Sequence, residues 1–120
     1  MKQTILVELS DYKIGIIRNP YERIITLYRG SWNWIGLEDW IRKTNIKPQC
    51  ELYENCDGIV RLEDWECDFT DLDLQVPDEK YMETLYKKYS TDYTRWYGTN
   101  LKDMVAPLVK PDLDTYGYRF

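Results

Sequence analysis

The chain of 120 residues is 43% hydrophobic, 31% charged and 15% aromatic, a balance that excludes disorder and low-complexity architecture and suits one domain around one compact core. Asp and Glu outnumber Lys and Arg by 21 to 16, a net charge of −5. This argues against general binding to nucleic acid, whose affinity comes largely from neutralising phosphates, and leaves room for a local basic pocket. The histidine count is 0, so these residues alone build no Ser-His-Asp or Cys-His nucleophile and no His metal ligand.

The N-terminal apolar run Ile5-Leu6-Val7 is broken by Glu8, well short of the roughly 7–15 apolar residues of a secretory segment. No apolar stretch approaches the roughly 20 residues that span a bilayer. Cys50, Cys56 and Cys67 form no CxxC pair and no zinc spacing. The expectation is a cytoplasmic protein with reduced thiols and no membrane partner.

Thr4 to Leu9 and Ile14 to Ile17 read as strands separated by Ser10-Asp11. Arg18-Asn19-Pro20 then opens a helix, because Asn is a favoured N-cap and Pro a favoured first helical residue. Tyr21, Ile24, Ile25 and Tyr28 follow helical spacing, and the helix should stop near Gly30. A second helix is expected from about Gly36 to Lys43, then a loop from Thr44 to Asp57 holding one helical turn. Asp57-Gly58 leads into a strand at Ile59–Leu62, and Glu63 to Phe69 starts a short helix or irregular turn. Asp78 caps a long helix to about Tyr97, with Tyr81, Leu85, Tyr89, Tyr93 and Tyr97 at every fourth position. Asn100 and Asp103 form a capping box for a last helix, which should kink or end near Pro107. The whole reads as a small, helix-rich α/β domain over residues 1–120.

The segment that carries chemistry is Ile14 to Tyr28. A strand delivers Arg18 to the mouth of a helix N-terminus, where free N–H groups and the helix dipole receive anions. The guanidinium adds a rigid fork of donors matched to phosphate oxygens. Thr26, two turns into the helix, adds a hydroxyl if its face lines the same pocket. The alternative on the same residues is an Asn-Pro helix cap with Arg18 as a surface charge.

The run from Ile16 to Tyr28, IIRNPYERIITLY, resembles the 3′-phosphate-binding motif of sulfotransferases that use 3′-phosphoadenosine 5′-phosphosulfate. It is most similar to the carbohydrate-sulfotransferase pattern V-R-N-P-Y-E-R-L-V-S-x-Y. Leu37-Glu-Asp-Trp-Ile41 resembles the family's next short helix, and Lys47-Pro48-Gln49 its h-x-x-x-P-Q segment. Ile59-Val-Arg-Leu-Glu-Asp-Trp65 resembles its strand and R-x-E-N-L turn. Tyr93-Thr-Arg-Trp-Tyr97 and Asp112-Leu-Asp-Thr-Tyr-Gly-Tyr118 are similar to its Tyr-rich helix and closing D-x-x-x-F-G-Y. The resemblance runs from about Ile14 to Phe120 and implies a truncated, P-loop-like sulfotransferase fold. It implies that Arg18 contacts the 3′-phosphate of the cofactor or of its bisphosphate product, with Thr26 in the place of the family's Ser. The family's upstream loop with Lys and Ser/Thr, which holds the phosphosulfate, has no counterpart in residues 1–17, and neither does its catalytic base. The expectation is nucleotide recognition without independent catalysis and without a metal.

Three further sets of residues stand out in the sequence. Glu63, Asp64, Glu66, Asp68, Asp71 and Asp73 form an acidic patch without the EF-hand pattern, read as a solvated face. Glu22 with Arg23 reads as a helix surface pair of small energetic value. Trp32, Trp34 and Trp40 are either core or an exposed recognition patch. The second possibility makes the protein an interaction module that dimerises or holds a protein partner.

Overall fold

The computed structural model describes residues 2–9, 11–31, 35–76 and 78–120. Among these, strand β1 (Leu6–Leu9) pairs antiparallel with β2 (Tyr12–Ile17), and β2 pairs parallel with β3 (Gly58–Arg61), in the order β1-β2-β3. Between β2 and β3 the chain forms α1 (Pro20–Gly30), α2 (Leu37–Lys43) and the short α3 (Gln49–Leu52). A 3-10 turn at Leu62–Asp64 leads to α4 (Trp65–Asp71), followed by α5 (Glu79–Tyr89), a 3-10 turn at Tyr93–Trp96, and α6 (Thr99–Tyr116). The result is the expected small, helix-rich α/β domain, built on a three-stranded mixed sheet. Among the described residues, no helix is long and apolar enough to cross a membrane.

The central strand β2 is apolar on both faces, as its run of Ile residues requires, because it is covered on both. Ile14 and Ile16 point into a core completed by Val7, Val60, Leu62, Trp65, Phe69, Met82 and Leu85. Gly15 faces the other way, against the Tyr53 ring. A Cβ there would lie 2.6 Å from Tyr53 Cδ1, so the strand needs glycine at this point for close approach. The Tyr53 hydroxyl accepts from the Ile5 N–H at 2.7 Å and donates to the Ile16 carbonyl at 3.0 Å, tying the segment before β1 onto β2.

A second core forms away from the sheet. Tyr21, Ile24 and Leu27 of α1 meet Trp40, Ile41 and Ile46, and Leu101, Val105 and Val109 of α6. The apolar residues thus divide into two clusters where one core was expected. Trp40 is buried in the second, whereas Trp32 and Trp34 lie outside the described residues.

Two helices depart from expectation. α5 is capped by Asp78, whose Oδ1 accepts from the Tyr81 N–H at 3.0 Å, but it ends at Tyr89. Ser90, Thr91 and Asp92 follow, residues whose side chains compete with helical hydrogen bonding, and the Thr91 N–H is bound by Glu22 Oε2 of α1 at 3.2 Å. The tyrosines therefore split between two elements, with Tyr93 and Tyr97 packed on the second core. α6 is capped at Gly98, leaving Asn100 inside its first turn, and it continues through Pro107 and Pro111 to Gly117, which closes it with φ 75°. An internal proline costs about 3 kcal/mol of helix stability. Buried Leu101, Val105, Val109 and Asp112 hold both sides of the prolines against the fold, and tertiary burial overrides local propensity.

Candidate functional site

Arg18 follows the last residue of β2, and its peptide is held from both sides by one side chain. Gln49 Oε1 accepts from the Arg18 N–H at 3.0 Å, and Gln49 Nε2 donates to the Arg18 carbonyl at 2.8 Å. Gln49 is 1% exposed. It is fixed in turn by Asp112 of α6, whose carboxylate accepts from the backbone N–H groups of Gln49 at 3.0 Å and Cys50 at 2.9 Å.

The N-terminus of α1, expected to receive an anion, is already filled by the protein. Asn19 Oδ1 accepts from the Tyr21 N–H at 3.0 Å, and Glu63 Oε2 accepts from the Asn19 N–H at 2.7 Å. Asn19 Nδ2 donates to the Arg119 carbonyl at 2.8 Å, and the Tyr118 hydroxyl donates to Glu63 Oε1 at 2.6 Å. Burial and the adjacent Glu63 charge push the Tyr118 hydroxyl pKa strongly upward, so it remains a donor. The helix mouth where an anion was expected thus carries an internal carboxylate on the Asn19 N–H.

Arg18 does not point to that end. Its guanidinium runs along α1 to Thr26, with Nη1 donating to Thr26 Oγ1 at 2.5 Å, and the same hydroxyl donates to the Arg23 carbonyl at 3.1 Å. The two site residues named from the sequence are therefore in contact. Arg18 is 4% exposed, not the surface charge of the alternative reading, and its guanidinium carbon sits 4.2 Å from the centre of the Tyr89 ring. Burial, and then the charge of Arg23, pull its pKa down to about 10, leaving it charged at neutral pH. Among the described residues the guanidinium makes no ion pair, its remaining N–H groups meet no protein acceptor, and Glu22 acts on it only at longer range. Such a buried cation is unusual, because buried charges are normally paired.

Thr26 and Tyr89 line a cavity of about 600 Å³ together with Lys2, Arg29 and Lys88. Its charged lining residues are all cationic, on a chain of net charge −5. A cleft of one charge sign concentrates ligands of the opposite sign.

The remaining charged residues serve the fold. Arg23 is buried, with Nη1 donating to the Lys47 carbonyl at 2.9 Å and Nη2 to the Gln3 carbonyl at 3.1 Å. Glu22 binds the Thr91 amide instead, so the expected Glu22–Arg23 surface pair is not formed. Within the acidic patch, Asp68 takes a two-pronged contact from Arg61 at 2.8 and 2.9 Å, which lowers its pKa. Among the described residues, no group of three or more Cys, Asp or Glu is placed to hold a metal ion. All three cysteines are free, and burial raises the thiol pKa of Cys50 and Cys56, which opposes thiolate formation.

Sequence reasoning missed Gln49 and Arg23 as structural anchors and Tyr89 as the cover of Arg18. Each acts over a long loop or between helices, and only the placement of Gln49 in a family-like segment hinted at a role. The chain matches no family model, no curated protein and no solved structure.

Proposed function

We propose that the protein binds a phosphorylated adenosine nucleotide of the 3′-phosphoadenosine class, on a fold related to the C-terminal portion of sulfotransferases and without catalysis of its own. The observation that carries this reading is Arg18. It is a buried guanidinium hydrogen-bonded to the Thr26 hydroxyl, with no carboxylate at ion-pair distance among the described residues, and it lies behind Thr26 and Tyr89, which line a cationic cavity. A phosphate monoester reaching it would supply the missing anion, and the guanidinium fork suits two phosphate oxygens at once. The Thr26 proton is engaged with the Arg23 carbonyl. The hydroxyl must turn away from that carbonyl to donate to a phosphate, or remain an acceptor that orients Arg18.

Calorimetric titration with adenosine 3′,5′-bisphosphate tests the reading. Binding should vanish in Arg18→Ala. It should weaken about tenfold in Thr26→Val, the scale of one hydrogen bond to a charged group. No binding at millimolar nucleotide by the folded protein overturns the reading. That result would direct attention to the interaction-module alternative, with a second copy or another protein as partner.

A further inference from the structure

Resting on the nucleotide-binding reading, we propose that Tyr89 is a gate over Arg18, which an incoming anionic ester displaces by turning the ring aside. The ring occupies the place an anion would take. The Arg18 guanidinium lies 4.2 Å from its centre, and Lys88 Nζ lies 5.2 Å from the same centre. An aromatic face attracts a cation through its quadrupole, far more weakly than a phosphate does. The ring thus serves as a replaceable counter-group for a buried cation that makes no ion pair among the described residues.

Three features make the gate movable. Tyr89 is the last residue of α5, and Ser90 after it is extended, so the ring sits where the helix gives way to looser chain. Its hydroxyl makes no hydrogen bond among the described residues, unlike Tyr53, Tyr97 and Tyr118, whose hydroxyls are all anchored. It packs only at the margin of the first core, and it lines the cavity itself. The chain beyond it is pinned to α1 at Thr91, by Glu22 on the amide and by Arg29 Nη1, which donates to the hydroxyl at 3.3 Å. Rotation of the side chain therefore opens Arg18 to the cavity without unseating α5.

The test compares wild type, Tyr89→Ala and Tyr89→Phe by titration with adenosine 3′,5′-bisphosphate, each with and without Arg18→Ala. Removing a contact of this kind should tighten binding by up to about tenfold in Tyr89→Ala. Tyr89→Phe, which keeps the ring, should match wild type, and Arg18→Ala should abolish binding in every background. Equal or weaker affinity in Tyr89→Ala, with binding still dependent on Arg18, overturns the gate and leaves the site standing. No binding by any folded variant overturns the site and the gate with it. A measurement on the unaltered chain is independent of how the variants fold. With ring-labelled tyrosine, saturating bisphosphate should shift the Tyr89 resonances to the positions of an exposed ring, and resonances that stay in place overturn the gate.

Discussion

At its N-terminal end, α1 is closed by the protein itself: the Asn19 side chain, the Glu63 carboxylate, Tyr118 and the Arg119 carbonyl take up the polar groups there. From Thr26 to Arg29 the same helix borders a cavity ringed by cations, with Arg18 lying behind Tyr89. The dipole alone suggests the reverse use of the two ends, since an anion is favoured at a helix N-terminus and cations at its C-terminus. Arg29 in the last turn obeys that rule and needs no ligand to explain it. Arg18 does not, because it starts at the closed end and spans two turns to reach the open one. A helix end is thus a poor guide to a site once an internal carboxylate has claimed it. The more telling sign is a buried charge that makes no ion pair among the described residues.

Variants at the two ends can break this contrast. The largest effect is expected at the closed end from Gln49→Ala, which strands both polar groups of the Arg18 peptide and removes one Asp112 contact. It should destabilise by about 3 kcal/mol, the scale of several buried groups left unsatisfied, read as a lowered midpoint in urea unfolding. Glu63→Gln keeps the shape and removes the charge from the helix mouth. A loss of about 1 kcal/mol is expected, shrinking with added salt, and no loss at low salt would break the account of a closed end. The smallest effect is expected from Arg18→Met. A buried charge without an ion pair exchanged for an apolar side chain of similar length should leave stability within about 1 kcal/mol of wild type, or raise it. A loss of several kcal/mol there would make Arg18 a structural residue and erase the distinction between the ends.

Local chemistry was legible in the sequence wherever it decided the structure. Asn19-Pro20 starts α1, Asp78 starts α5, and the Ile run at 14, 16 and 17 marks the strand β2. Arg18 and Thr26 could be named because a strand and two helical turns fix their relation over a short span. What could not be read depends on partners far along the chain. Ser90, Thr91 and Asp92 are a local stop signal that the four-residue tyrosine step outweighed, and nothing local announces that Glu22 will take the Thr91 amide. Nothing near Pro107 shows that Val105 and Val109 will be buried enough to carry a helix past two prolines. Glu63 sits 44 residues from the Asn19 amide it caps, so the closure of the expected anion site left no local trace.

The two prolines of α6 also bear on the order in which the molecule assembles. A segment that lacks two amide donors and resists helix formation by itself gains its shape only when the α1–α2 surface is there to receive it. Two of the residues that seal the N-terminal end of α1, Tyr118 and Arg119, follow directly from α6, and Phe120 nests its ring against Tyr21, Tyr93 and Tyr97. They cannot be seated until that helix has docked. During synthesis, the sheet and α1 therefore emerge with Asn19 and Glu63 at that end but without Tyr118 and Arg119, and its closure is completed only when α6 docks.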